Sequence, residues 1–348
     1  MTDVPNSAFT TKSDRHRPTV AVLALPGTML SAVATATDVF STAGVMWNRI
    51  QRIPESPVFD VKLVSPDGRP VLCAGIPHIA VHGAMHDVHN ADLVVITALI
   101  GNTCNIETLR DVVSWLRGQH ERGGALASLC TGAFVLAATG LLDGKMATTH
   151  WGAAKRLQRM HPRVNVTPHR LLTDEGTLFT SGGSHGAMNL CLHLVERFAG
   201  REIAVQSAKV MMRDFETDSQ LPYTVFLQEK DHNDNEIATI QDYMDCAYYL
   251  PVTVMDLAHR AGLGRRTFER RFKSATGCSP KSYLQNLRIE AAKRILETDN
   301  QTVEQITEAV GYGDAATFSK LFVRVCGVSP SAYRRKFAVA SSAKWQNL

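Results

Sequence analysis

Nowhere in the 348 residues does an uninterrupted apolar run approach the roughly 20 that a membrane-spanning helix needs, so no membrane partner is expected. The opening stretch MTDVPNSAFTTKSDRHR lacks both the apolar segment and the small-residue cleavage site of a secretory signal, and residues 1–17 read as a disordered leader. The seven cysteines, at 73, 104, 130, 191, 246, 278 and 326, are odd in number and include no CxxC pair or metal-ligand spacing. That pattern excludes a disulfide framework and fits free thiols in a reducing cytosol, so a cytoplasmic protein without metal or cofactor is expected. A strong net charge is missing too, the formal value being +4.

The charge is unevenly placed. From Ile237 onward 16 Lys or Arg face 10 Asp or Glu, a balance of +6, while the remainder sums to −2. A basic carboxyl-terminal third implies an anionic partner, nucleic acid first. At about 150 residues per domain the length suggests two domains. From Thr19 the pattern alternates short runs apolar throughout (TVAVLALPG, VFDVKLVSPDG, ADLVVITALIG, ALASLCTG) with helical stretches such as 106–122 and 131–142. Strands apolar on both sides belong to a parallel sheet covered on both faces, which predicts a doubly wound, flavodoxin-like α/β domain over 18–215. Short strands are expected around the turn Asp174-Glu175-Gly176, then helices over 183–198 and 201–215. Residues 216–236, with a proline and an Asn/Asp-rich end, have a linker's composition. Beyond them an all-α domain over 237–340 is expected, with a tail at 341–348.

That second domain repeats itself. A shift of fifty positions aligns TFERRFKSATGCSPKSY (267–283) with TFSKLFVRVCGVSPSAY (317–333), and with one residue of slip Leu257, Ala258 and Gly262 match Ile306, Thr307 and Gly311. One supersecondary unit has been built twice. Each copy has what a helix-turn-helix needs: a small residue at the helix crossing (Ala258, Thr307), a glycine in the turn (Gly262, Gly311) and an apolar anchor in the second helix (Phe268, Phe318). With Phe268 and Phe272 inward, Arg265, Arg266, Thr267, Arg270 and Lys273 turn outward; with Phe318 and Phe322 inward, Ala316, Thr317, Lys320 and Arg324 do. A single basic helix face is usually only a solvated surface, but two matched copies point to base edges and phosphates of double-stranded DNA. In GCSP and GVSP, glycine ends one helix and Ser-Pro caps the next.

Residues 237–337 resemble the AraC/XylS helix-turn-helix domain, from LAHRAGLGRRTFERRFKSATGCSPKSYLQNLRIEAAKRIL to GYGDAATFSKLFVRVCGVSPSAYRRKF. The resemblance implies a helix, here Lys281 to Glu297, holding two recognition helices about one DNA turn apart, promoter DNA and RNA polymerase as partners, and a separate effector or dimerisation domain.

In the first domain, ALASLCTGAFVLAATGLLDG sets Cys130 between a buried strand and a helix, the layout of a nucleophile elbow, where the helix dipole should favour thiolate. Most cysteines in such turns are inert small hydrophobes. The segment SLCTGAFVLAATGLLDGKMATTHW resembles the ThiJ/PfpI superfamily with its class I glutamine amidotransferase-like fold, and FTSGGSHGAMNLCLHLVERFAG extends the resemblance. It implies a site at Cys130, Thr131 and His150. His150, beside Trp151, also reads as an ordinary half-buried histidine. The superfamily's acid falls in a segment where this chain has PGTMLSAVATATDVF; Ala32 occupies its slot, and Asp38 lies too late to replace it. Without that carboxylate nothing evident relays a proton, which argues against an enzyme. His78, His82, His86 and His89 have the spacing of one helix face, but Gly75, Pro77 and Gly83 argue against a helix, and no metal site is expected.

Together the two resemblances imply a regulator, of activating sign and homodimeric, in which a small-molecule effector of the amino acid or quaternary amine class binds near Cys130. Two alternatives stay open: a ThiJ/PfpI-type hydrolase or hydratase with an accessory DNA-binding domain, and a redox sensor at Cys130 with Cys104 or Cys191 as resolving thiol.

Overall fold

The computed structural model describes residues 17–75, 78–101, 109–213 and 219–338, and the chain divides into one unit up to residue 218 and another from residue 219. The expected leader (but for Arg17) and tail, and Cys104, lie outside the described residues. No helix among the described residues is long and apolar enough to cross a membrane.

The first unit opens with β1 (Thr19–Leu23), α1 (Leu30–Thr42), α2 (Met46–Ile50), β2 (Asp60–Ser65), β3 (Val71–Leu72), β4 (His78–Ile79), β5 (Gly83–Ala84) and β6 (Leu93–Ile96). It continues with α3 (Arg110–Glu121), β7 (Ala125–Ser128), α4 (Ala133–Ala138), β8 (Met146–Ala147), α5 (Ala154–Met160), β9 (Asn165–Val166), β10 (Leu172–Asp174), β11 (Leu178–Ser181), α6 (Ser184–Ala199) and α7 (Arg201–Val210). Seven strands form the main sheet in the order β10-β11-β7-β6-β1-β2-β5, parallel except for the β10–β11 pair. The unbroken apolar runs are explained by their two sides. Val20, Val22 and Ala24 join a core with Phe40 of α1 and Leu190 of α6, while Ala21, Leu23 and Leu25 join one with Leu116 of α3 and Phe134 of α4. The helical stretches are shorter than their sequence suggests: the run to Arg122 is helical over Arg110–Glu121 in its described part, that to Leu142 is one 3-10 turn plus Ala133–Ala138, and that to Phe215 ends at Val210.

Counting the five parallel strands β2-β1-β6-β7-β11 by position in the chain gives 2-1-3-4-5, and the winding reverses between β1 and β6. Ligands of such sheets bind beyond the carboxyl ends of the strands at that reversal. The loop after β1 lies there: Thr28 bridges to Cys73 and Leu99, and its hydroxyl meets that of Thr97 at 2.7 Å.

The second unit contains α8 (Asn235–Ala247), α9 (Val254–Arg260), α10 (Arg265–Thr276), α11 (Pro280–Thr298), α12 (Val303–Ala309), α13 (Ala315–Cys326) and α14 (Pro330–Phe337). Gly277 and Gly327 close α10 and α13 in the left-handed region, at φ +78° and +72°, and Ser279 and Ser329 cap the next helices ahead of Pro280 and Pro330. Two separate cores result. One joins Ile240, Leu257, Phe268, Phe272, Tyr283 and Leu287, the other Ile289, Leu296, Ile306, Phe318, Phe322 and Tyr333, and α11 runs through both.

The segment expected as a linker, 216–236, is corrected in its described part. From Ser219 it belongs to the helical unit: Pro222 is buried, Tyr223 meets Phe337 edge-on at 5.5 Å between ring centres, and Phe226 meets Tyr283 at 5.1 Å between ring centres. Its polar composition hides these aromatic anchors.

Candidate nucleic-acid interface and cysteine elbow

Each helix-turn-helix is built by the same local devices. Thr253 and Asp256 form a reciprocal cap at the start of α9, as Thr302 and Gln305 do at the start of α12. Gly262 and Gly311 take φ of +67° and +83° in the turns. Ala258 is buried at the first crossing; Thr307 fits the second because its hydroxyl donates to the Val303 carbonyl at 2.7 Å, which satisfies the extra polar atom inside the helix.

All nine residues expected on the DNA-facing sides, Arg265, Arg266, Thr267, Arg270 and Lys273 on α10 and Ala316, Thr317, Lys320 and Arg324 on α13, are exposed. Their freedom differs. Arg265 pairs with Glu269 at 3.2 Å, and Arg324 donates to Gln285 at 3.3 Å. The Thr317 amide donates to the Asp314 carboxylate at 2.7 Å, and with the Thr317 hydroxyl it holds that carboxyl below its ordinary range. Arg266, Arg270 and Lys273 have no hydrogen bond or ion pair among the described residues. At 1.5 Å per residue, the 19 residues of α11 span about 28 Å, the scale of one DNA turn at about 34 Å.

Two groups at these helices were not legible as functional in the sequence. Arg271, on α10, turns from the basic face and forms a fork with Asp234 (2.9 and 2.7 Å) plus a contact to Glu236 (2.7 Å). Arg288, on α11, donates to the carbonyls of Tyr248 (2.7 Å) and Leu250 (2.9 Å).

In the first unit Cys130 follows the carboxyl end of β7 with φ of +53°, a left-handed conformation that costs a non-glycine residue about 1–2 kcal/mol. The neighbours impose it. A β-carbon on Gly132 would lie 2.6 Å from the Ile96 carbonyl, and the Thr131 hydroxyl donates to the Leu99 carbonyl (2.6 Å) while accepting from the Leu99 amide (2.8 Å). The elbow is thus riveted to the segment after β6, and Thr131 is one rivet.

The expected thiolate is corrected. Burial pushes the Cys130 thiol up, against the pull of the Thr131 amide and hydroxyl and the His150 backbone. A helix dipole is worth about 0.3–1 kcal/mol, less than one pKa unit, whereas burial moves a group by up to about 3–5 units. Here the helix also starts with a 3-10 turn, Cys130–Gly132, and α4 has only six residues.

Cys130 lines a small cavity of about 10 Å³ together with Met29, Ala32, Thr35, Ala98, Ser184 and Ala187 among others, room for about one water. Ala32 is buried there, and among the described residues no carboxylate lines the cavity. The His150 ring accepts from the Gly152 amide through Nδ1 (3.1 Å), packs on Trp151 at 5.1 Å and is held below its ordinary pKa by burial, so it is neutral at pH 7. Cys191, one helical turn beyond Ala187 on α6, is fully buried with its thiol pushed up to about 12. His78, His82, His86 and His89 share no helix; His82 accepts from the Leu63 amide at 2.9 Å.

Comparison with known proteins gives two matches along the chain: residues 19–197 match the DJ-1/PfpI family and residues 257–336 a helix-turn-helix domain. Among curated proteins, the HTH-type transcriptional regulator CdhR of Pseudomonas aeruginosa is 29% identical over 287 residues, covering 78% of this chain and 80% of that one. The HTH-type transcriptional regulator GbdR of the same species is 27% identical over 276 residues, covering 78% and 74%. The HTH-type transcriptional regulator GlxA of Rhizobium meliloti is 26% identical over 222 residues, covering 64% and 68%.

Proposed function

The chain belongs to the DJ-1/PfpI family and ends in an AraC-type helix-turn-helix domain, and from that premise we propose a cytoplasmic, homodimeric transcriptional activator whose DJ-1/PfpI unit binds a small metabolite and whose second unit reads promoter DNA and engages RNA polymerase. The observation that carries this reading is the pair of matched helix-turn-helix copies with exposed, unpaired cations on α10. The effector is of the amino acid or quaternary amine class and binds at Cys130, Thr131 and His150. Because the cavity beside Cys130 holds about one water and is lined by neither Thr131 nor His150, binding opens it, parting the start of α1 from the start of α6. An enzyme is disfavoured by Ala32 in place of an acid and by a thiol that burial keeps protonated. The same raised thiol disfavours a redox sensor.

The test is a thermal-shift screen of the full chain against amino acids, betaines and polyamines, followed by promoter binding with and without any hit. A ligand of the native form at 100 times its Kd adds about 2.7 kcal/mol and raises the melting temperature. A Cys130→Ser variant keeps the response if the metabolite is the signal. A full panel without a shift overturns metabolite control.

A further inference from the structure

The two cores of the DNA-binding unit are joined covalently by α11 and braced by the Tyr248–Leu250 segment against Arg288 and Gly311, so bending at the middle of α11, the hinge between them, would move one recognition helix relative to the other. The segment from Leu221 to Asp234 crosses that hinge. At its start Leu221 packs on the glycine that ends α13, so closely that a β-carbon on Gly327 would lie 3.2 Å from that of Leu221. Tyr223 lies against Phe337, with the Lys336 ammonium 4.4 Å from its ring centre. The Thr224 carbonyl accepts from Lys293, a lysine only 3% exposed on α11 that also pairs with Glu290 at 2.8 Å. Two residues on, Phe226 has crossed to Tyr283 in the first core, and the Glu229 carbonyl accepts from Gln241 at 2.9 Å. At its end Asp234 grips Arg271 of α10 with both carboxylate oxygens.

We propose that residues 221–234 form a splint that fixes the spacing of the two recognition helices, with Leu221, Tyr223 and Asp234 as positioning residues. The segment runs antiparallel to α11 and is anchored at the end of α13 and on the side of α10, so it adds a second brace across the joint to the one that the Tyr248–Leu250 carbonyls make with Arg288. Because the splint is also the start of the second unit, any pull on it from the preceding chain is delivered to both recognition helices at once. The inference rests on the reading that α10 and α13 contact DNA together.

A random-sequence DNA selection with the purified full chain tests it, the readout being the number of base pairs between the two blocks that are read. Two variants are compared with the parent: Leu221→Ser with Tyr223→Ser, which frees one end, and a Gly-Ser-Gly insertion between Leu227 and Gln228, which keeps every anchor but lengthens the splint. The parent selects two blocks at one spacing. Both variants are expected to select the same blocks over two or more spacings, with affinity for the parent spacing lower on the order of tenfold as rigid coupling is lost. A single unchanged spacing in both variants overturns the splint, as does loss of base preference within a block, which would mark a role in folding alone. A parent that selects only one block overturns the two-helix reading instead.

Discussion

The two helix-turn-helix copies share a backbone and divide the charge between them differently. Phe268 and Phe272 in one, Phe318 and Phe322 in the other, are fully buried, and the glycines of both turns and both helix ends sit in the left-handed region. On the surface the first copy concentrates its cations on α10, with Arg265, Arg266, Arg270 and Lys273, while Arg271 is tied to Asp234 and Glu236. The second has only Lys320 and Arg324 on α13 but carries Arg335 and Lys336 exposed on the following helix, with Arg334 half-buried against the Gln301 carbonyl, where the first has Leu284, Gln285 and Asn286. Core positions repeat because both copies solve one packing problem. Surface positions are free of that packing problem and diverge, and on the proposed reading the exposed cations of α10 would read bases in the first copy while those of α14 would meet phosphates in the second.

The sharpest way to separate the copies is at their turns. Gly262 has open space where a side chain would begin, so Gly262→Ala costs only the left-handed conformation, about 1–2 kcal/mol. At Gly311 a β-carbon would lie 2.4 Å from the Tyr249 carbonyl, inside the bracket that Arg288 forms with Tyr248 and Leu250. Gly311→Ala adds overlap with backbone to the same strain and is expected to cost about 3–5 kcal/mol. Urea denaturation followed by the helical signal compares the two; equal losses would show that the second turn is not wedged against the first copy.

A smaller difference is expected in DNA binding. Arg270→Ala removes an unpaired guanidinium from the exposed side of α10 and, on the proposed reading, should cost about 1–3 kcal/mol on the preferred sequence while relaxing preference at one position. Arg335→Ala, on α14, should weaken all sequences alike and lower the salt slope by about one. Binding measured on specific and random DNA across a salt series decides this, and an equal loss on both for Arg270→Ala removes it from base reading.

How much of this was legible in the sequence depends on whether side chains or main chain carry the contact. The runs around Val20–Leu23 and Leu93–Ile96 announced strands buried on both faces, and the fifty-residue repeat announced both helix-turn-helix units with their caps. The splint stayed hidden because Lys293 and Gln241 hold it by the carbonyls of Thr224 and Glu229, which any residue supplies, while its acidic and amide residues look like solvent-loving spacer. At Cys130 the sequence displays the strand, turn and helix of an elbow, but a thiol's charge is decided by how completely the cavity excludes water. Alanines at 32, 98 and 187 close that space, and they are scattered through the chain.

The smallest expected effect comes from the caps and has a definite sign. In the first copy the titrating cap, Asp256, sits on the supporting helix α9; its partner in the second copy is Gln305, which does not titrate. On the recognition helices the arrangement is reversed: α10 begins at Gly264 with no side-chain cap, and α13 begins at Asp314. Hydrogen bonds from Thr253 lower the Asp256 carboxyl from its ordinary 3.8, and those from Thr317 lower that of Asp314. A lowered folded value means that each contributes stability present above the unfolded value and lost as pH falls through the folded one. Acid therefore loosens the supporting helix of one copy and the recognition helix of the other. Asp314→Asn keeps a capping oxygen without the charge, so it should flatten the acid limb of α13 while leaving that of α9 intact. Amide exchange followed residue by residue from pH 5 to pH 3 distinguishes the two helices, and parallel loosening of both in Asp314→Asn and parent would mean that the caps do not set their acid response.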